Sequence, residues 1–136
     1  MNKTTQFLRR LAAAGIVTGC VAASAFAQSV SFTEPADGAT VSSPFKVKFA
    51  VSGMEVKPAG EMAANTGHHH LLINAAALKE GESVPFNDTH LHFGKGQTET
   101  EVKLAPGVYT LTMQFANGAH QSYGPGLSNT IKVTVK

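Results

Sequence analysis

Apolar and polar residues alternate along most of the chain. In "FKVKFAV" (45–51), Phe45, Val47, Phe49 and Val51 point one way and Lys46 and Lys48 the other. That is the two-residue repeat of a strand with one buried face. "VYTLTMQF" does the same with Tyr109, Leu111, Met113 and Phe115. "TIKVTVK" sets Ile131, Val133 and Val135 against Lys132 and Thr134, and "TETEVKL" sets Val102 and Leu104 against Glu99, Glu101 and Lys103. "SVSF" (29–32), "HHHLLI" (68–73) and "HLHF" (90–93) supply three further strand segments.

The punctuation between these runs is turn chemistry. "EPADGA", "SSP", "APG" and "YGPG" combine Pro, which sets φ, with Gly, which accepts φ > 0. "GKG" (94–96) lacks the length and the Ser or Thr of a phosphate loop and reads as a hairpin turn. Ala75 to Lys79 hints at a helical turn inside a long loop, Ala75 to Thr89. About seven short strands at near-regular spacing predict an all-β fold, an immunoglobulin-like antiparallel β-sandwich. "LAPGVYTL" fits the tyrosine corner of such sandwiches; the alternative is that Tyr109 is a plain core aromatic.

The 136 residues suffice for one domain. Residues 1–27 have the form of an export leader. A polar head ends at Arg9 and Arg10, a weakly apolar run follows, and Ala25-Phe26-Ala27 offers the small-x-small pattern of signal cleavage. The domain is then 28–136, periplasmic or secreted, beginning at Gln28. "VTGC" (17–20) admits a second form, a lipid anchor on Cys20, although the apolar "VAASAFA" after it is unlike a polar tether. Arg9-Arg10 also suggests a twin-arginine leader, but Leu8 and Leu11 replace its usual polar flanks. The leader run is too short and too rich in Ala and Gly for a membrane span, which takes about 20 strongly apolar residues.

Cleavage changes the charge. The leader takes Lys3, Arg9 and Arg10 with it, which moves the formal charge from +2 to −1 and leaves no arginine. A near-neutral chain without a basic patch is a poor nucleic-acid partner. Cys20 is the only cysteine, so no disulfide is expected within 28–136 and a hydrophobic core must hold the domain.

Histidines carry the chemistry. In a strand, His68 and His70 share one face, and His69 lies on the other with Leu71 and Ile73. His90 and His92 likewise oppose Leu91 and Phe93. The aliphatic side chains choose the core, which assigns His69 to it as a hydrogen-bonded core-edge residue and turns the other four outward. A His-x-His pair on a strand is a metal fork, and imidazole suits copper, zinc and nickel. Two forks on adjacent strands give a candidate copper or zinc site of His68, His70, His90 and His92. The competing reading is a polar face without metal. His120, in "NGAHQSYGPG", reads as a solvated loop histidine. Met54 and Met62 could be thioether ligands but more simply fill gaps in a core. Glu99 and Glu101 read as a solvated strand face. No Ser or Cys sits in the context of an activated nucleophile.

Taken together, "SFTEPADGATVSSPFKVKFAVSGMEVKPAGE", "NTGHHHLLI", "HLHFGKGQTETEV", "LAPGVYTLTM" and "NTIKVTV" resemble a bacterial family of small exported proteins, the domain of unknown function numbered forty-three ninety-nine. The resemblance covers nearly all of 28–136 and rests most on Gly67-His68-His69-His70 and His90-Leu91-His92-Phe93-Gly94. It implies export and a small β domain, and no activity. Some members carry further histidines near a Pro-rich last loop. Here that loop holds only His120, before Gly124-Pro125-Gly126, so its role stays open. "EPADGATV" is also similar to the opening of periplasmic copper carriers, and "HLHFG" to a strand of copper-zinc superoxide dismutases. Those likenesses concern fold and do not set function.

The expected function is a metal-binding carrier, buffer or sensor. The alternative is a metal-free interaction module that docks a protein or an envelope glycan through its histidine face. An enzyme with the ion as Lewis acid would need an open coordination position and is the least favoured.

Overall fold

The computed structural model describes residues 14–16, 19–20 and 27–136. Apart from those few positions, the leader expected over 1–27, with its lipid-anchor and twin-arginine variants, lies outside the described residues. Cys20 is exposed. No helix among the described residues is long and apolar enough to cross a membrane.

The described chain is strands joined by turns and loops, with one 3-10 turn at Pro125–Leu127. Its strands are β1 (Ser29–Glu34), β2 (Thr40–Val41), β3 (Phe45–Ser52), β4 (Glu55–Val56), β5 (Thr66–Ile73), β6 (His90–His92), β7 (Glu99–Val102), β8 (Gly107–Ala116) and β9 (Ser128–Val135). The seven expected segments are all present. The two additional strands, β2 and β4, are two residues long and pair in parallel with β9 and β5. A two-residue strand shows no alternation, so the sequence pattern is blind to it.

Two sheets enclose the core. One has the order β1-β3-β7, and the other β2-β9-β8-β5-β4 with β6 also on β5. Phe45, Val47, Phe49 and Val102 from the first sheet pack against Leu71, Leu111, Met113, Phe115 and Val133 from the second. The fold is thus an all-β sandwich. Alternation is kept in β9, where Ile131, Val133 and Val135 are buried and Lys132 and Thr134 exposed. Tyr109 does make the corner bond: its hydroxyl donates to the Ala105 carbonyl at 2.8 Å while the ring packs against the core.

Two local expectations are corrected. Ala75 to Lys79 is not helical. Its backbone bonds elsewhere, the Leu78 N–H donating to Gln114 Oε1 and the Leu78 carbonyl accepting from Ser122 Oγ. Gly94–Gly96 is a turn but not a hairpin, because β6 and β7 belong to different sheets. It carries the chain from one layer to the other.

The feature that positions the site is a roof over the outer face of β5 and β8. Residues 81–84 pair with 120–122: Gly81 N–H donates to Ser122 O, Ser122 N–H to Glu82 O and Val84 N–H to His120 O, each at 2.8 Å. Buried Gln114 fastens this roof from below. Its amide accepts from Leu78 and donates to the carbonyls of Gly124 and Leu127. Every residue of β5 is consequently buried. The outer face expected to be open is covered.

Candidate metal centre

The register brings the histidines together. β5 and β6 are antiparallel with His70 opposite His92 and Leu72 opposite His90. On the other side of β5, His68 lies opposite Ala116 and His70 opposite Gln114. Strand β5 comes close to β8 because Gly67 has no side chain: a Cβ there would stand 2.3 Å from the Ala116 carbonyl oxygen. His68 and His70 project under the roof, and neither has accessible surface.

The fourth imidazole arrives from the loop after β8. Asn117 folds that loop, its Oδ1 accepting from the Ala119 and Gln121 N–H groups and its carbonyl from His120 N–H. Gly118 is pressed against the Glu61 backbone, where a Cβ would lie 2.2 Å from the carbonyl oxygen. His120 takes φ = 60°, a conformation unusual for a residue with a side chain and maintained only where the surroundings enforce it. The result aims its ring at the strand histidines.

Nitrogens converge on one point. His120 Nδ1 is 3.0 Å from His68 Nε2, 3.2 Å from His70 Nε2 and 3.2 Å from His92 Nδ1. One ligand atom from each of His68, His70 and His120 lies within 4.8 Å of the others. These three residues could hold a metal ion. In a tetrahedral site with metal–nitrogen bonds of 2.0–2.1 Å, ligand nitrogens are about 3.3 Å apart, close to the separations seen here. Hydrogen bonding does not account for the arrangement. A ring nitrogen offers one hydrogen or one lone pair, and His120 Nδ1 faces three other ring nitrogens.

His92 is oriented for the same point. Its Nε2 donates to the Pro85 carbonyl at 2.7 Å, which makes that nitrogen the protonated one and leaves Nδ1 with a bare lone pair in the neutral ring. Such an outer hydrogen bond fixes the tautomer of a ligating histidine. Phe86 stacks flat on His92, with centroids 3.6 Å apart and planes 14° apart, and meets His120 edge-on at 5.3 Å. His68 Nδ1 and His70 Nδ1 have no hydrogen-bond partner among the described residues.

Burial favours the neutral form of His68, His70 and His120. Burial, then the neighbouring His120 and His92, lowers the pKa of His68 to about 4. Burial, then His68, His92 and His120, lowers that of His70 to about 2. His120 is lowered by burial and by His92. Neutral imidazole is the form that binds metal, so these rings need lose no proton at physiological pH.

Of the four residues expected to form the site, the structure brings His68, His70 and His92 together and leaves His90 outside. His90 Nδ1 donates instead to Asn87 Oδ1 at 2.9 Å, and the same oxygen takes the Thr89 hydroxyl and N–H. The ring closes a turn at the start of β6, where its cross-strand neighbour is Leu72 and no histidine. His120, expected to be solvated, takes its place. The sequence did carry a signal for it, since Asn117-Gly118 directly after a long strand marks a tight turn. His69 lies in the core as expected, stacked on Phe49 at 5.0 Å and edge-on to Phe115 at 5.1 Å. It is not hydrogen-bonded as expected: both its nitrogens lack a partner among the described residues. Met54 packs against the core and Met62 is 59% exposed.

No curated protein and no solved structure matches the chain. One family model does match, over residues 47–136. It takes in β4 to β9 and nearly all of β3, with every histidine of the cluster, and stops short of β1 and β2, which the sequence resemblance had included. The chain belongs to the family described as a domain of unknown function, DUF4399.

Proposed function

We propose that this protein binds a single transition-metal ion, copper or zinc, through His68 Nε2, His70 Nε2, His120 Nδ1 and His92 Nδ1. It would act as a carrier, buffer or sensor in the bacterial envelope rather than as an enzyme. The observation that carries the reading is the convergence of three ring nitrogens on His120 Nδ1 at 3.0–3.2 Å, which hydrogen bonding leaves unsatisfied and a cation satisfies. Imidazole donors favour zinc and cupric ion, whereas a cuprous site would call for thiolate or thioether. Export follows from the leader over 1–27 and supplies the envelope location. A closed set of four protein ligands suits holding an ion rather than activating water, which needs an open position.

The test is a competitive titration of untagged protein with copper(II) and zinc, beside elemental analysis of protein isolated from its native compartment. Stoichiometric binding tighter than about micromolar, roughly 8 kcal/mol, is expected. Absence of binding at that level for both ions would reject the metal and leave the face to a protein or glycan partner.

A further inference from the structure

Of the four imidazoles in the cluster, His68 and His70 have no accessible surface, and His92 and His120 are only half-buried. Any ion entering or leaving must pass on the side of those two. Phe86 occupies that side. One face of its ring lies on His92 and its edge approaches His120, yet the residue is 74% exposed. A large apolar side chain so exposed has no core contact to hold it. Its neighbours Pro85, Asn87, Asp88 and Thr89 are exposed too. The segment is anchored at its ends, by Val84 N–H on the His120 carbonyl and by the Thr89 carbonyl on Ile73 N–H. Between those anchors the Pro85 carbonyl touches the cluster through its bond to His92 Nε2.

We infer that Phe86 is the gate of the histidine centre: its stacked position closes the exchange path over His92 and His120, and swinging it out opens the path. The inference rests on the metal-binding reading above. An aromatic stack of this kind corresponds to roughly a two- to tenfold population ratio, so the closed state dominates without locking the ion in. The bond from His92 Nε2 to Pro85 remains as the hinge side of the gate, keeping Nδ1 aimed at the ion while the ring of Phe86 moves.

A gate and a support differ in kinetics. Removing a gate lowers the barrier in both directions, whereas removing a support for His92 speeds only release. Stopped-flow uptake of zinc and its release to an excess of a small chelator should both be faster in Phe86→Ala, each by about the two- to tenfold factor of the lost stack, with the equilibrium constant moving much less than either rate. Val108→Ala, at the far end of β8 and also exposed, should leave both rates as in the wild type. Unchanged rates in Phe86→Ala, or faster release with unchanged uptake, would overturn the gate while leaving the metal site intact. A wild type that binds neither zinc nor copper would overturn the gate together with the metal reading.

Discussion

His69 has a cost that the fold accepts. Its ring fills core volume between Phe49 and Phe115, but neither nitrogen is hydrogen-bonded, and a buried unpaired polar group opposes folding. Burial, then His68, lowers its pKa from 6.5 to about 4. In the unfolded chain the same ring takes a proton near pH 6.5, so between those values the unfolded state binds more protons. Stability of the metal-free protein is therefore full above about pH 6.5 and falls as the pH drops toward about 4. At about 1.4 kcal/mol per unit, His69 alone accounts for a loss on the order of 3 kcal/mol, with His68 and His70 adding to it. Urea melts of metal-free protein at pH 7 and pH 5 should show the drop. His69→Leu should shrink it and raise stability at pH 7 by about 1 kcal/mol.

The neighbouring histidines should respond differently. Because burial lowers His68 to about 4 and His70 to about 2, and lowers His120 as well, these three rings should stay neutral and able to bind metal below pH 6.5. His120→Ala should reduce affinity for copper or zinc by about 100-fold or more, the scale lost when a ligand's support fails. His90→Ala should leave affinity within a few-fold and slightly loosen the turn at Asn87. Equal losses in the two variants, measured by competitive titration, would contradict the assignment of His120 over His90.

Among the elements, β5 is the one on which the site depends, and β8 and the roof hold it. Gln114 links them through bonds to Leu78, Gly124 and Leu127. Gln114→Leu keeps the volume, strands the Leu78 N–H and takes a donor from the carbonyls of Gly124 and Leu127 beneath the roof. At about 1–3 kcal/mol for a buried group left unsatisfied, the loss should be several kcal/mol in a chemical melt. The roof also carries His120, so the same variant should bind metal more weakly. A Gln114→Leu protein with wild-type stability would show that the roof is held by something other than this amide.

In the whole molecule, an ion bound only by the folded state must raise its melting temperature by mass action. At 100 times the dissociation constant the gain is about 2.7 kcal/mol. Thermal melts with and without zinc should differ in the wild type and coincide in His120→Ala. Export can be checked at the same scale: mass spectrometry of protein from the envelope should find Gln28 as the first residue, whereas a lipid-modified Cys20 would place the domain on a membrane.

The sandwich was legible in the alternation of β3, β7, β8 and β9 and in the turn chemistry between the strands, because burial of one sheet face imposes a period of two on a chain that forms it. Phase alone was enough to send His69 inward with Leu71 and Ile73, and the turn before Tyr109 admitted either a corner bond or a plain core ring, of which the folded chain makes the bond. The histidine centre was only partly legible. His68 and His70 follow from strand periodicity, but which of His90 and His92 meets them depends on the register of β6 against β5, set by pairing between strands seventeen or more residues apart. His120 depends on a loop conformation that Asn117, Gly118 and the roof impose jointly. The burial of His68 and His70 depends on that roof as well, and its bonds run between backbone groups whose positions no local pattern encodes. Periodicity reports which face a side chain takes; only the folded chain decides what lies across from it.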